Sequence, residues 1–441
     1  MTSVNRQYIL YGAFALPLSW LTISLFIFLP KYYIDSGLVT LSGLGIIAVL
    51  FRVTDALLDI LIGRYLEGKK SESHSLLKRI RITVMALSLA IFLVFYPAAT
   101  SGFIFPQSLI LGMAVLMLIA TLTVVQISYD AVIPNLVSGY RERSTLISYR
   151  SAAILAGSLL ASAVPTILYT GYSLSVSWLI TGIILIILFN VSAALNEKFL
   201  RYKGEVRERV PIKRILLRAS ELIKEAPVRN LLIAFIFTSI GAALPAALIL
   251  FYVENVIQSD NGPLFVALYI LTAVISLPFW NWVGGKVEKN TAWMIGLLIN
   301  AGMLFYIYTL GSGDEFRYGT AVIISAAGYG ATLLFPTSMQ ADIVDYDQWR
   351  FGERRQAEIA SVCLFTKKTF AALSLGVAFF VLGVSEGGAG QVDLDQEGVI
   401  SMLKLFYALI PGLVSVAAIF WIIRYDLTDA RLGGIQNDLL K

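Results

Sequence analysis

The chain has little charge and almost no cysteine or histidine. Charged residues make up 14% of its 441 residues, against about 25% in soluble domains, so an ordinary soluble globular protein is excluded. The single cysteine, Cys363, excludes an intrachain disulfide framework. The single histidine, His74, lies in a polar loop, which excludes a His/Cys metal centre and argues against Ser-His-Asp or Cys-His catalysis. We therefore expect that the protein is not an enzyme.

Apolar residues are abundant instead. They make up 57% of the chain and form repeated blocks of roughly 20 residues, a length that crosses a bilayer as a helix. The composition therefore predicts an all-α polytopic membrane protein. The formal charge of +5 does not indicate nucleic-acid binding, because the basic residues cluster in particular loops.

Twelve apolar blocks are predicted to be transmembrane helices. The first six cover residues 8–30, 41–66, 80–98, 106–136, 146–169 and 174–195, and the second six cover 230–255, 262–285, 291–311, 317–344, 357–384 and 398–424. The grouping predicts an amino-terminal six-helix bundle (1–196), a cytoplasmic middle loop (197–229), a carboxyl-terminal six-helix bundle (230–425) and a cytoplasmic tail (426–441).

Lysine and arginine occur in every second loop, and the alternate loops are nearly free of them. Cytoplasmic loops are the ones enriched in these residues. Both termini are therefore predicted to be cytoplasmic, and the protein to be integral to the plasma (bacterial inner) membrane.

Span two carries Arg52, Asp55 and Asp59 on one helical face. A carboxylate at bilayer depth costs about 2.5–3.5 kcal/mol, and one arginine cannot neutralise two aspartates. The pattern predicts a site for a small cation that binds and leaves: Na⁺, Li⁺ or H⁺. The alternative is a buried salt bridge that only fixes helix packing.

Further polar residues lie inside other spans. Thr123, Gln126 and Asp130 share a face of span four, and Arg150 opens span five, either as a cavity-facing partner for Asp130 or as an interfacial arginine. Lys367 and Lys368 lie about ten residues into span eleven. A lysine at that depth usually faces a cavity, and only one of an adjacent pair can point fully into it.

Several of these residues resemble one known family, the glycoside–pentoside–hexuronide:cation symporters. The matching segments are Arg52-x-x-Asp55-x-x-x-Asp59 with Gly63, Tyr149-Arg150, Leu155-Ala156-Gly157, Ala341–Asp347, Gly352–Arg355 and Lys368. The similarity covers nearly the whole chain in matching order. It implies a major-facilitator fold, with two pseudo-symmetric six-helix bundles working by alternating access.

The resemblance also implies roles for individual residues. Asp55, Asp59 and Thr123 would bind the coupling cation, with no metal site beyond it. Substrate binding is implied for Arg150 and Lys368, which match the family's span-five arginine and span-eleven lysine, and is predicted from the polar face of span four for Gln126 and Asp130. A charge network that gates the cavity is assigned to Arg52, Glu67, Arg141, Asp342, Asp345, Arg354 and Arg355.

The sugar site departs from that of the melibiose permeases in this family. They carry acidic residues where this chain has Pro17 and Gln126, and a tryptophan where it has Asp130. Carboxylates grip sugar hydroxyls through paired hydrogen bonds, so a melibiose-type galactoside is disfavoured.

The prediction is cation-coupled symport of a small organic substrate of the sugar or sugar-acid class. Alternatives are symport of a lysolipid or another amphipathic or anionic substrate, a proton-driven exporter, and, in a different class, a non-transporting membrane sensor or enzyme. We expect no cofactor, Na⁺ (or H⁺) as coupling ion, the lipid bilayer and a small molecule as partners, no nucleic acid, and function as a monomer.

Overall fold

A computed structural model describes residues 3–40, 43–45, 47, 54, 73–100, 107–130, 140–169, 171–199, 223–352, 355–385 and 396–439. Regular structure in these residues is helical throughout. Ten of the described helices are long and apolar enough to cross a membrane, and Ile80–Phe95 is a shorter apolar helix. They match predicted spans one and three to twelve, which confirms the all-α class. Most of predicted span two lies outside the described residues.

The chain divides into two compact units. The first unit comprises Met1–Val39 and Leu50–Arg209, and the second comprises Thr40–Val49 and Val210–Lys441.

The first unit is a helical bundle. Its helices are α1 (Ser3–Ile23), a π-helical turn π1 (Ser24–Phe28), α2 (Leu29–Asp35), α3 (Ser73–Phe95), α4 (Gln107–Asp130), α5 (Tyr140–Tyr169) and α6 (Leu174–Phe199), with a short 3₁₀ helix at Pro97–Thr100. Helix α1 packs along α5, and α3 packs between α4 and α6.

Helices α1 and α5 approach closely at Gly157. A Cβ atom there would lie 2.2 Å from both the Leu16 carbonyl oxygen and Ser19 Oγ. The Ser19 hydroxyl donates to the Ile154 carbonyl across the same contact at 2.9 Å. Small residues allow helix backbones to meet in this way in membranes.

The second unit is also a helical bundle. It contains α7 (Ala226–Tyr252), π2 (Val253–Ile257), α8 (Gly262–Ile275), α9 (Leu277–Gly284), α10 (Lys289–Thr309), α11 (Glu315–Phe351), α12 (Gln356–Ser385), α13 (Gln396–Lys404), π3 (Leu405–Leu409), α14 (Ile410–Ile423) and α15 (Asp429–Leu439). Helix α10 packs on α11, and α7 packs on α12 and α14. Their buried side chains form one apolar core that includes Phe235, Trp293 and Met339.

Three local features of the second unit differ from the predicted spans. Predicted span eight is interrupted at Ser276, where Pro278 in the first turn of α9 cannot donate a helical hydrogen bond. Helix α11 continues to Phe351, so the run Ala341–Asp347 is helical to its end. The predicted tail contains α15, with Leu432 and Ile435 buried.

The first helix of each unit has the same interruption. Pro17 lies inside α1, seven residues before π1 begins at Ser24. Pro245 lies inside α7, eight residues before π2 begins at Val253. The two units therefore repeat a proline followed by a π turn.

The units also repeat two ties between helices. Tyr33 donates to the Val94 carbonyl of the unit's third span at 2.9 Å, and Tyr252 donates to the Ile307 carbonyl of the corresponding helix at 2.7 Å. An asparagine amide joins the first and last spans of each unit: Asn196 donates to Leu10 at 3.1 Å, and Asn230 donates to Arg424 at 2.7 Å. These shared ties support the predicted pseudo-symmetry.

Candidate functional site

A pair of tyrosines joins α1 to α4 in the first unit. The rings of Tyr11 and Tyr129 stack with centroids 4.3 Å apart and planes inclined by 12°. Each hydroxyl donates to the other residue's carbonyl oxygen, at 3.1 Å from Tyr11 and 2.8 Å from Tyr129. Both side chains are buried. The pair fixes the two helices to each other at the level of Tyr129.

Arg150 of α5 lies over this tyrosine pair. Its guanidinium carbon is 5.1 Å from the centroid of the Tyr129 ring, within the range of a cation–π contact. Three helices of the first unit, α1, α4 and α5, thus meet around one half-buried cationic group. The neighbouring residue, Asp130, ends α4, but its side chain lies outside the described residues, so its predicted pairing with Arg150 stays a prediction.

The other two predicted members of the α4 face differ in environment. Thr123 is buried, with 4% of its surface exposed, whereas Gln126, almost one turn later, is exposed. Thr123 therefore offers a hydroxyl inside the unit, and Gln126 offers an amide at its surface. A hydroxyl suits a ligand for a small hard cation, whose ligands are oxygen atoms.

Several predicted site residues lie outside the described residues. These are Arg52, Asp55, Asp59, Glu67 and Arg354, together with the side chain of Arg141. Within the described ranges, no group of three or more His, Cys, Asp or Glu residues could hold a metal ion. The predicted cation ligands of span two are not part of those ranges, so that site stays a prediction.

Two ion pairs lie at the end of the second unit where α10 begins and α11 ends. Lys289 Nζ is 2.7 Å and 2.8 Å from the two carboxylate oxygens of Asp342. Arg355 donates from Nε to Asp347 Oδ2 at 2.7 Å and from Nη2 to Asp347 Oδ1. The side chains of Asp347 and Arg355 are only 1% and 5% exposed. A bidentate pair of this kind satisfies both charges at once.

Polar contacts at the same end attach α15 and the start of α7 to α11. Gln436 donates to Asp345 at 3.0 Å, and the Arg431 guanidinium lies 5.7 Å from the centre of the Tyr346 ring. The Tyr346 hydroxyl donates to Glu225, just before α7, at 2.8 Å. The predicted network residues Asp342, Asp345 and Arg355 therefore contact different partners.

Sequence reasoning passed over most of these partners. Lys289 was one of the many basic loop residues and was not singled out, and Asp347 entered only as part of a matching run. Tyr11 and Tyr129 carried no signal, because tyrosines are common both in membrane cores and at interfaces. The pairing of Asp347 with Arg355, eight residues later, spans the end of α11 at Phe351, so helical spacing gave no signal for it.

Burial also affects a titrating group beyond the last span. The Tyr425 hydroxyl donates to the Met339 carbonyl at 3.2 Å. Loss of solvent raises the pKa of Tyr425 well above its ordinary value, and the nearby carboxylates of Asp342 and Asp426 raise it further. Tyr425 is therefore a neutral hydrogen-bond donor at physiological pH.

Lys367 of α12 carries a positive charge into the packed part of the second unit. Its Nζ atom lies 3.8 Å from the centroid of the Phe235 ring on α7, and Phe235 is fully buried. A cation–π contact contributes about 0.5–2 kcal/mol, whereas a lysine at the helix centre costs about 2.5–3.5 kcal/mol on the insertion scale. The contact with Phe235 therefore does not fully offset the cost of the charge. Lys367 and its neighbour Lys368 are both half-buried.

The family follows from a match along almost the entire chain. Residues 9–429 match the family described as MFS/sugar transport protein, where MFS denotes the major facilitator superfamily. The chain belongs to this family.

Relatives and solved structures agree with the match. The chain is 24% identical over 435 residues to the glucuronide carrier protein homolog of Escherichia coli K12, covering 94% of this chain and 90% of that one. It is 22% identical to the isoprimeverose transporter of Lactiplantibacillus pentosus, covering 67% and 64%. It is 25% identical to the sodium-dependent lysophosphatidylcholine symporter 1-B of Danio rerio, covering 47% and 40%.

Among solved structures, the nucleoside transporter NupG matches with a TM-score of 0.65 and 13% identity, covering 97% of this chain and all of that one. A D-xylose-proton symporter matches with a TM-score of 0.62 and 13% identity, covering 96% of each chain. These likenesses confirm the major-facilitator fold. The protein is an integral membrane protein and a secondary transporter of the major facilitator superfamily, and not an enzyme.

Proposed function

We propose that the protein is a cation-coupled symporter of a small sugar-class substrate, with sugar acids as the preferred group. The observation that carries the proposal is the match to a glucuronide carrier homolog over nearly the full length of both chains. Arg150, which lies over the Tyr129 ring, supports an acidic substrate, because a guanidinium binds a carboxylate through two parallel hydrogen bonds. Gln126, Asp130 and Lys368 are the other proposed substrate-binding residues.

The proposed coupling ion is Na⁺, with H⁺ or Li⁺ as the other candidates. In the proposed cycle the cation binds Asp55, Asp59 and Thr123 and cancels carboxylate charge in span two. Cancelling this charge lowers the cost of closing the cavity around the substrate. Substrate and cation then raise each other's affinity by the same factor, as linkage requires. No cofactor is proposed beyond this ion, and the working unit is a monomer in the lipid bilayer.

The proposed location is the bacterial inner membrane, with both termini cytoplasmic. The positions of lysine and arginine in alternate loops support this orientation. In that orientation the ion pairs Lys289–Asp342 and Arg355–Asp347 lie at the cytoplasmic end of the second unit.

A lysolipid is the second candidate substrate. It is favoured by the 25% identity to the sodium-dependent lysophosphatidylcholine symporter 1-B of Danio rerio, although this chain spans only 40% of that protein. The headgroup of such a lipid carries a phosphate, which the same basic residues would bind. The full-length match favours the sugar acid.

The test is cation binding followed by uptake. Purified protein is titrated calorimetrically with Na⁺ and then Li⁺, and reconstituted vesicles are assayed for uptake of a radiolabelled glucuronide with and without an inward Na⁺ gradient. We expect Na⁺ binding and Na⁺-stimulated uptake in the wild type, with both lost in Asp59→Asn.

Three outcomes would change the proposal. Absence of heat with either alkali cation would replace Na⁺ by H⁺, and uptake would then respond to a pH jump. Uptake of lysophosphatidylcholine but not of glucuronide would favour the second candidate. Full Na⁺-driven uptake by Asp55→Ala would contradict the cation site.

A further inference from the structure

Exposed apolar side chains along α14 form a stripe that ends at a cation. Leu413, Val416 and Phe420 are 54%, 43% and 53% exposed. Spacings of three and four residues place them on one face of the helix, and Arg424 is the next position on that face. The Arg424 guanidinium carbon lies 3.4 Å from the centroid of the Phe420 ring. The guanidinium therefore covers the last ring of the stripe and is itself exposed.

The end of α9 has the same arrangement. Phe279 and Trp282, three residues apart, are 55% and 57% exposed, and Lys286 follows four residues after Trp282. The Lys286 Nζ atom lies 4.0 Å from the centroid of the Trp282 ring, and the side chain is exposed. The second unit thus contains two exposed cation–aromatic pairs, Arg424 with Phe420 and Lys286 with Trp282.

Both pairs lie at the same end of the second unit. The backbone amide of Asp429, five residues after Arg424, donates to Glu288 Oε2 at 3.0 Å. Glu288 is two residues after Lys286, so this hydrogen bond joins the segments that follow the two pairs. Arg424 directly follows its apolar span, and Lys286 lies two residues beyond the end of its own. In a bilayer, positions just beyond an apolar span lie at the level of the lipid headgroups.

The two cations differ from other basic side chains at this end of the unit. Three of those are held by carboxylates, in the pairs Lys289–Asp342, Arg355–Asp347 and Arg431–Asp426. Within the part of the chain that the structure describes, neither Lys286 nor Arg424 lies within ion-pair distance of a carboxylate. Arg424 donates to its own helix over a long distance, 3.5 Å from Nη1 to the Phe420 carbonyl. Both charges can therefore bind a partner from outside the chain.

The surroundings of the two cations indicate the chemistry of that partner. In a bilayer, exposed apolar side chains of a span contact the acyl chains, and the end of the span contacts the headgroups. A molecule that contacts both a stripe and its cation must therefore join an apolar chain to an anionic group. A phospholipid with a net negative charge has this structure.

We propose that the two cation–aromatic pairs bind anionic phospholipids, each through the headgroup phosphate. The phosphate accepts hydrogen bonds from the cation, while the acyl chains lie along the apolar side chains that precede it. A zwitterionic headgroup binds less tightly, because its own cation is repelled by Lys286 and Arg424. In the proposed orientation these lipids belong to the cytoplasmic leaflet, whose surface potential is negative. The inference is independent of the substrate and of the coupling ion.

The test counts the lipids bound to the purified full-length protein. Native mass spectrometry of protein released from neutral detergent micelles resolves each bound lipid, and a titration gives a dissociation constant for each binding step. Phosphatidylglycerol is the anionic probe, and phosphatidylcholine with the same acyl chains is the zwitterionic one. Thermal unfolding in the same micelles, with and without each lipid, checks the result in solution.

The variants are Lys286→Met, Arg424→Met and the two combined, together with the charge-retaining Lys286→Arg and Arg424→Lys. The matched control is Arg229→Met. Arg229 is exposed in the first turn of α7, and it lies at the same end of the unit, since the amide of the next residue, Asn230, donates to the Arg424 carbonyl. Among the described residues no aromatic ring lies against Arg229. Its substitution therefore removes the same charge without a cation–aromatic pair.

We expect the wild type to bind two molecules of phosphatidylglycerol, each about fivefold more tightly than phosphatidylcholine, which is the preference that one basic side chain near the headgroups supplies. Each single methionine variant should retain one such molecule, and the double variant should retain none. The charge-retaining variants and Arg229→Met should retain both. Phosphatidylglycerol should raise the Tm of the wild type more than phosphatidylcholine does, and this difference should disappear in the double variant.

Equal binding of the two lipids by the wild type, or an unchanged preference in the double variant, would overturn the inference. An equal loss in Arg229→Met would also overturn it, because the preference would then follow net charge rather than the two pairs. Because the three substituted side chains are exposed, each variant should keep the lipid-free Tm of the wild type. None of these outcomes bears on the proposed symport, so the two proposals stand or fall separately.

Discussion

The buried pair of Asp347 and Arg355 allows a quantitative prediction about stability. Replacing Arg355 by methionine leaves the Asp347 carboxylate, 1% exposed, without its bidentate donor. Breaking a buried pair by removing one partner costs about 3–5 kcal/mol. For a unit of this size each kcal/mol lowers Tm by about 2–4 °C, so Arg355→Met should lose roughly 6–20 °C.

An exposed pair in the same unit provides the control. Arg317 lies 3.0 Å from Asp314, with side-chain exposures of 67% and 28%. Exposed pairs contribute about 0.2–1 kcal/mol, so Arg317→Met should lower Tm by at most about 4 °C. The double variant Asp347→Leu with Arg355→Met should be more stable than Arg355→Met alone, because it removes both charges of the pair.

The assay is thermal unfolding in detergent, followed by intrinsic fluorescence at one scan rate for all variants. The reasoning would be refuted if Arg355→Met were no less stable than Arg317→Met. A double variant whose loss equalled the sum of the losses in Arg355→Met and in Asp347→Leu alone would also contradict it, because it would mean that the two charges do not interact.

Three further predictions concern helix packing and coupling. Gly157→Ala should destabilise the first unit by about 1–3 kcal/mol through overpacking, because the new Cβ would meet the α1 backbone. Gly112→Ala should leave the stability unchanged, because a Cβ there has nothing within 4 Å. Equal Tm values for the two variants would contradict the close contact at Gly157. Asn230→Leu should cost about 1–3 kcal/mol by leaving the Arg424 carbonyl without its amide donor, measured as a lower Tm. Asp55→Ala should abolish cation-stimulated uptake in vesicles while membrane insertion, assayed by immunoblotting, is retained.

Helix positions were predictable from the sequence because the signal is local. A span needs only about 20 consecutive apolar residues, and ten of the described spans satisfy this condition by themselves. The contacts that position the site are not local. Tyr11 and Tyr129 are 118 residues apart, and Asn230 and Arg424 are 194 apart. Such pairs depend on which helices pack together, and hydropathy carries no information on that.

The adjacent lysines of α12 show an intermediate case. Depth in the span drew attention to both residues, and the family pattern favoured Lys368. Both lysines are half-buried, and Cys363, four residues before Lys367 on the same helical face, is buried. The contact of Lys367 with Phe235, 132 residues away in the chain, was not visible in the sequence.

The π turns that follow α1 and α7 have a consequence for comparing this chain with other proteins. A π turn closes over i→i+5 rather than i→i+4, so each one accommodates a single extra residue. One residue corresponds to about 100° of rotation in an α-helix. Relatives that lack the turn should therefore show a one-residue gap within Ser24–Phe28 or Val253–Ile257. Deleting one residue from Ser24–Phe28 of this chain would rotate Tyr33 away from the Val94 carbonyl, although neither residue of that contact had been changed.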